Sequence, residues 1–546
     1  MRGADLLVRE LQARGVPFVP VLCGNGLNPF LVAAAQAGLR LVDMRNEQAA
    51  SYLADAYARL TGRVGVCAVS SGVAHVNAFA GLLNAYYDGA PVLLITGASP
   101  SAYLGRGAFQ DLDQVALAQP LCKRAELVTC PSRLPQAVHE AFAAATTGRP
   151  GPVHLTIPVD VLEAEVDEAE VKSPFSRRGE VSHQAAGESH LVCEAAKMLA
   201  EAQHPLLVAG SGLFYAHGGD ALQQFAQLTH IPVVTPIWDR GVVNGPWVEF
   251  LGVIGAASGE PRLLEEADVI FLVGARVDYR VRYLDSPPLR KGVRLLRVEV
   301  EAAELHQGVE PDLALLGDPR TVLQQLTEAW QRRGYAGHDG WLAEARQRHQ
   351  QFYARWSQPP TSPQGLMTGA HIVHALRALI TEEMLFLIDG GNIGQWAHLV
   401  LCCDRYPAQW LTCGASAVVG WGVPGAMAAR LTFPDRPVLL LSGDGAITFA
   451  IAELECALRQ NLPFVVVVAD DRAWGIVVSG QRRAYPFTVA SEFGAVDYAQ
   501  VAEGFGARGV RAERPEEIAS AVREGFASGQ PTLIHVPIAR GGPTDY

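Results

Sequence analysis

Residues 437–446 read PVLLLSGDGA, and residues 463–475 read PFVVVVADDRAWG. In each, a run of branched aliphatic residues stops abruptly at glycine or aspartate. A run without polar alternation is the pattern of a strand buried on both faces, as in a parallel sheet covered by helices. Ser442-Gly443-Asp444-Gly445-Ala446 and Asp470-Asp471-Arg472-Ala473-Trp474-Gly475 then fall at the carboxyl ends of two strands of one sheet, the edge where open α/β sheets bind ligands. Glycines beside Asp444 let backbone N–H groups approach an anion, and a following helix N-terminus favours negative charge. Carboxylates and phosphate oxygens are hard ligands that suit Mg²⁺, which takes about six oxygens. Taken alone, the first motif is better explained by a tight glycine turn with capping aspartates. The second acidic pair at the next strand end turns the reading towards a diphosphate–metal site.

The same alternation of apolar runs and helical stretches extends outward. Residues 17–24 (PFVPVLCG), 40–45 (RLVDMR), 64–70 (VGVCAVS), 91–97 (PVLLITG) and 152–158 (PVHLTIP) read as strands, and 48–62 and 135–148 as helices. A polar stretch, 163–190, reads as a linker. Strands at 205–212, 231–237, 269–277 and 293–300 form a second unit, followed by a partly helical connection over 334–364. A third unit has strands at 384–391, 409–414, 437–445, 463–471 and 531–538, and resembles the first in size and strand content. The expectation is an α/β chain of three doubly wound parallel-sheet domains, 1–165, 190–335 and 365–546.

Composition bounds the function. The chain has 546 residues, 49% of them hydrophobic and only 18% charged, enough to bury several cores. A formal net charge of −12 lacks the basic footprint of a nucleic-acid or anionic-membrane binder. Nine scattered cysteines without a C-x-x-C pair are the usage expected of a reduced, cytoplasmic protein. The first fifteen residues read as an amphipathic helix rather than a signal peptide, and no apolar run approaches the roughly 20 residues of a membrane span.

Two further stretches carry candidate chemistry. Arg45-Asn46-Glu47-Gln48-Ala49-Ala50 follows a strand and opens a helix; capping by Asn46, with Glu47 at the positive helix end, is a sufficient structural explanation. Residues 414–425, GASAVVGWGVPG, are too rich in small residues for an ordinary element and fit either close approach to a ligand or a tightly packed loop. His371 and His374 share a helix face with no third metal ligand in view, and read as helix surface.

As a set, these motifs resemble the thiamine-diphosphate-dependent enzymes of the acetolactate synthase and pyruvate oxidase family. Ala108-Phe109-Gln110-Asp111, Thr146-Thr147-Gly148-Arg149-Pro150-Gly151-Pro152-Val153, Ile157-Pro158-Val159-Asp160-Val161 and residues 274–281 (GARVDYRV) match the synthase type in order, so the resemblance spans nearly the whole chain. It implies that the three units are pyrimidine-binding, middle and diphosphate-binding domains. Glu47 would hydrogen-bond the cofactor's aminopyrimidine. Val419 would be the wedge that bends the cofactor, and Ala417 would offer its carbonyl to the 4′-amino group. Asp444, Asp471 and the carbonyl of Ala473 would hold Mg²⁺, while Asn392, Ile393, Gly445 and Ala446 would line the diphosphate. Gln110 would face the reaction chamber and handle proton transfer, with Asn25 nearby. Cofactor sites of this family lie between two chains, which implies a homodimer at least and commonly a homotetramer.

The chain departs from the family pattern in places. Asp470-Asp471 stands where relatives usually carry two asparagines, which adds negative charge beside a diphosphate. Gly480 stands where biosynthetic synthases carry a tryptophan, which implies a roomier chamber. Arg280 matches a basic residue near the acceptor site, where it could clamp a carboxylate; a surface ion pair with Asp278 is the alternative. FAD is left open: residues 210–212 (GSG) and 274–281 resemble the flavin-binding middle domain, yet some relatives keep the fold without flavin, and a lone G-x-G is ordinarily a turn. The implied activity is decarboxylation of a 2-keto acid such as pyruvate and ligation of the resulting enamine to a second carbonyl. The rivals are an aldehyde carboligase or acyloin lyase without decarboxylation, and a non-catalytic relative with a binding or regulatory role.

Overall fold

A computed structural model describes residues 1–167, 171, 184–255, 262–363, 365–401 and 410–546. The first unit holds β1 (Phe18–Leu22), β2 (Arg40–Asp43), β3 (Gly65–Val69), β4 (Val92–Ala98), β5 (Arg124–Leu127) and β6 (Val153–Pro158). The second holds β7 (Pro205–Ala209), β8 (Val233–Pro236), β9 (Phe250–Ile254), β10 (Val269–Val273), β11 (Arg294–Glu299) and β12 (Leu313–Leu316). The third holds β13 (Leu385–Asp389), β14 (Trp410–Thr412), β15 (Val438–Gly443), β16 (Val465–Asp470), β17 (Arg508–Arg511) and β18 (Thr532–Pro537).

All three sheets are parallel and have six strands. Their orders are β2-β1-β3-β4-β6-β5, β12-β11-β10-β7-β8-β9 and β14-β13-β15-β16-β18-β17. Renumbered within each unit, the first and third orders are identical, so the likeness legible in the sequence is a likeness of topology. The aliphatic runs become central strands: β3, β4, β6, β7, β10 and β15 are buried along most or all of their length. The four strands that the sequence reading misses, β5, β9, β12 and β17, all lie at sheet edges. β5 and β17 carry polar, half-exposed residues (Arg124–Leu127 and Arg508–Arg511), so the continuous apolar signal is lacking there, whereas β9 (FLGVI) and β12 (LALL) are apolar but short.

Helices cover both faces of each sheet. One apolar cluster is shared: residues of helix Glu47–Thr61, helix Phe79–Asp88, β3 and β4 pack with those of helix Gly422–Thr432, β15 and β16. The first and third units are thereby fused through a common core, and the second keeps two cores of its own. Close packing here requires small residues; a Cβ on Gly81 would stand 2.6 Å from the backbone of Ser51. The expected linker over 163–190 lies largely outside the described residues. The connection after the second unit contains helix Asp339–Ala354. The seven cysteines among the described residues are all free thiols. No helix is long and apolar enough to cross a membrane, among the described residues.

Candidate active site

The chain leaves β13 and β15, adjacent in the third sheet, towards opposite sides, which opens a crevice at their carboxyl ends. A cavity occupies that crevice. Asn392 and Ile393 reach it from the segment after β13, Ala417 and Val419 from the loop after β14, Asp444, Gly445 and Ala446 from the turn after β15, and Asp471 and Ala473 from the turn after β16. Residues about 80 positions apart, singled out separately in the sequence, are thus brought to one wall.

The glycines around this cavity answer to close approach. A Cβ on Gly475 would lie 2.5 Å from Asp471 Oδ2 and 2.7 Å from Asn392 Nδ2. Gly390 adopts φ +138°, open to glycine, and a Cβ there would meet Gly443 N at 2.8 Å. Asn392 Nδ2 is buried without an acceptor, a donor suited to a phosphate oxygen.

The acids are short of positive charge. Asp444 Oδ1 accepts from Gly445 N at 2.8 Å and Oδ2 from Ala473 N at 3.3 Å. Burial and the neighbouring charge of Asp471 push Asp444 up to about 8, and burial pushes Asp471 up to about 6. A divalent cation would supply the missing charge. Among the described residues no group of three or more His, Cys, Asp or Glu side chains is placed to hold a metal. Two carboxylates and the Ala473 carbonyl would therefore leave about half of a six-oxygen shell to phosphate and water.

The loop that carries Ala417 and Val419 is fixed from behind by the first unit. Arg59 donates to Thr412 O at 2.9 Å, and Asp88 Oδ1 accepts from Ala415 N at 2.9 Å. Ser416 Oγ donates to Asn84 Oδ1 at 2.6 Å, and Trp421 Nε1 donates to Asp55 Oδ2 at 2.9 Å. Arg59 also faces Asp88 at 3.3 Å and Asp55 at 3.6 Å, all three side chains buried to 2% exposure or less. Burial, only partly offset by Arg59, pushes Asp55 up to about 6. From the second unit, Tyr279 Oη donates to Ala415 O at 2.7 Å.

A second group of candidate residues lies at the carboxyl edge of the first sheet and does not line that cavity. Asn46 caps helix Glu47–Thr61, its side chain accepting from Ala49 N at 2.9 Å. Glu47 is left free of that duty and accepts from Asn77 Nδ2 at 3.1 Å; it is half-buried in the single chain. Asn25 donates to Ser71 Oγ at 3.1 Å, and Ser71 Oγ donates to Gln110 Oε1 at 3.1 Å. These residues follow β2, β1, β3 and β4, four neighbouring strands. Gln110 adopts φ +57°, against Gly72.

Other expectations land elsewhere. Arg280 is 1% exposed, bound by two nitrogens to Asp278 and at 2.6 Å to Asp239, with a further bond to Ile237 O. It is therefore a buried ion-pair centre under the Trp238 loop, neither a surface pair nor a carboxylate clamp open to solvent. Gly480 lies on helix Gly475–Ala484, apart from the cavity wall, with open space where a side chain would be. Gly210 and Gly212 pack directly on the Gly274 backbone, at 2.3–2.7 Å from added Cβ atoms, so the GSG stretch serves contact between two turns. His371 bonds Thr368 at its own helix start, and His374 bonds Trp356 O. Trp238, Trp396 and Trp474 also line the cavity; Trp474 stands in the Asp470–Gly475 stretch, whereas no motif announces Trp238 or Trp396, and for Trp238 the only signal was its place just after β8.

Three family models match: "Thiamine pyrophosphate enzyme, N-terminal TPP binding domain" over 1–117, the central domain over 192–326 and the C-terminal TPP binding domain over 389–536. An acetolactate synthase large subunit of Parasynechococcus marenigrum is 30% identical over 551 residues, covering 99% of this chain and 88% of that protein. A probable acetolactate synthase large subunit of Methanocaldococcus jannaschii is 28% identical over 98% of this chain and 92% of its own length. A glyoxylate carboligase of Escherichia coli O157:H7 is also 28% identical, over 96% of this chain and 91% of its own length. With three parallel sheets in the matching order and a cradle at the expected strand ends, the chain belongs to the thiamine-diphosphate-dependent enzymes of the acetolactate synthase family.

Proposed function

We propose that this enzyme binds thiamine diphosphate and Mg²⁺ in the cavity at the β13–β15 crevice and uses them to decarboxylate a 2-keto acid and join its remainder to a second carbonyl. The observation that carries the reading is the convergence of Asp444, Asp471, Ala473 and the orphaned Asn392 amide on one glycine-lined wall. When bound, the cofactor supplies the nucleophile and the electron sink. Asp444, Asp471 and Ala473 hold the metal, and Gly445, Ala446, Asn392 and Ile393 lie along the diphosphate. Val419 would serve as the wedge against the bound cofactor and Ala417 would offer it a carbonyl, on a loop held by the Arg59, Asp88 and Asp55 contacts.

Glu47 would exchange a proton with the cofactor's pyrimidine, and Gln110 and Asn25 would serve the substrate carbonyl. Because these three sit on a different edge from the cavity, a second copy of the chain supplies them, and the working unit is at least a homodimer. Apolar side chains exposed beside both half-sites support this: Val73 (63%) and Phe109 (72%) near Glu47 and Gln110, and Phe449 (46%) and Ile476 (42%) near the cavity. In this reading residues 1–165 provide the pyrimidine side, 365–546 the diphosphate side and 190–335 the unit between them.

The test begins with chelation of the purified protein and mass spectrometry of the small molecules released. Thiamine diphosphate should leave with the metal and rebind only with both present. The reloaded enzyme should release CO₂ from pyruvate or another 2-keto acid. Retention of cofactor and full activity after chelation would refute the metal assignment. Carboligation of aldehydes with no CO₂ from any 2-keto acid would refute the decarboxylating reaction.

A further inference from the structure

Asp470 sits beside the metal-side acids yet does not line the cavity. It is 4% exposed. Its Oδ1 accepts from Arg472 N at 3.1 Å, closing the turn that turns Arg472 to φ +55° and presents Asp471 and Ala473. Its Oδ2 lies 2.9 Å from Nε2 of His535, a residue of β18 that is 1% exposed. A carboxylate has only acceptors, so the imidazole nitrogen donates. The far ring nitrogen, Nδ1, faces Asp497 Oδ1 at 3.6 Å, and Tyr498 packs edge-on against the ring at 5.4 Å. Asp497 in turn caps helix Tyr498–Gly504 through Ala499 N and Gln500 N.

A third carboxylate beside Asp444 and Asp471 would repel both and would loosen the turn they share, unless its charge were met locally. We propose that His535 is a positioning residue for the cation end of the site: by donating to Asp470 it holds the turn in the shape that presents Asp471 and the Ala473 carbonyl. The inference rests on reading the cavity as the diphosphate–Mg²⁺ site. Its chemistry predicts an interaction of a specific form. Without His535, an aspartate at 470 is a buried charge with its Oδ2 unmet, whereas an asparagine is neutral and still accepts from Arg472 N.

The experiment measures the Mg²⁺ concentration at which added thiamine diphosphate half-quenches the fluorescence of the cavity tryptophans, Trp238, Trp396 and Trp474. Five chelated proteins are compared: the unsubstituted enzyme, His535→Leu, His535→Gln, Asp470→Asn and the His535→Leu/Asp470→Asn double variant. His535→Leu should raise the half-saturating Mg²⁺ at least tenfold, the equivalent of about 1.4 kcal/mol in binding. His535→Gln, which keeps a donor, should shift it less. The double variant should return to within about threefold of Asp470→Asn, the scatter expected of non-interacting changes. A double variant as impaired as His535→Leu would overturn the inference, because a packing role for His535 gains nothing from an amide at 470. Should His535→Leu not fold, equal Mg²⁺ requirements for Asp470→Asn and the folded double variant still support the inference, and a lost requirement or lost fold in the double overturns it. If the unsubstituted enzyme shows no Mg²⁺-dependent cofactor quenching, it is the metal-site reading that fails.

Discussion

Gly475→Ala separates the cavity from the fold. The added methyl would stand 2.5 Å from Asp471 Oδ2 and 2.7 Å from Asn392 Nδ2, both well inside contact distance. Gly475 opens helix Gly475–Ala484 at an ordinary helical φ, where alanine is the better helix former by up to about 1 kcal/mol. The apo protein should therefore melt at the same temperature or slightly higher. Ligand binding should move the other way, because the methyl forces apart the carboxylate and the amide that flank the cation and the diphosphate. Overpacking of this kind costs about 1–3 kcal/mol, and placed wholly on the bound state it weakens affinity by roughly fivefold to 150-fold. The assay pairs a thermal melt of chelated protein with a thiamine diphosphate titration at saturating Mg²⁺. A variant that binds cofactor as tightly as the unsubstituted enzyme would refute the placement of Asp471 and Asn392 against the ligand. A variant that loses stability and affinity together would show that the clash is a folding defect.

Three other outcomes are expected. Glu47→Gln should bind cofactor normally but lower turnover by about 10²–10⁴, the range for loss of a proton-transfer group; normal turnover would remove Glu47 from the mechanism. Arg59→Met leaves Asp55 and Asp88 as unmet buried charges, and should cost about 3–5 kcal/mol in urea unfolding together with loss of cofactor affinity; a mild effect would mean the loop after β14 is held by packing alone. Glu453, 1% exposed and bonded to Arg45 N, is pushed up to about 7, burial outweighing its backbone bonds. A carboxyl whose folded pKa is raised takes stability away as pH climbs from its unfolded value near 4.5 to about 7. Glu453→Gln should therefore gain on the unsubstituted enzyme between pH 5 and 8, by at most about 3 kcal/mol, and a constant difference across that range would contradict the assignment.

Central strands announce themselves because both faces are buried, so β15 and β16 need only aliphatic residues and read as such. Edge strands half-exposed to solvent do not, which is why Arg124–Leu127 and Arg508–Arg511 are invisible beforehand. The cavity wall is legible for a related reason: a turn that lets an anion approach must be built of glycine and small residues, and that composition is local. What holds the wall in place is not local. Asp55, Arg59 and Asp88 look like the polar side of surface helices, and only the shared core of the first and third units buries them against the loop that carries Val419. Trp238 enters from the second unit at a strand end with no pattern of its own. His535 is the clearest case. In PTLIHVPI it reads as a core histidine, yet the pairing of β16 with β18 sets it against an acid 65 residues earlier in the chain. The sequence shows that an aspartate stands at 470; whether that charge can be tolerated so close to a diphosphate depends on a partner that only the sheet order brings near, and removing that partner while sparing the acid is how the dependence becomes measurable.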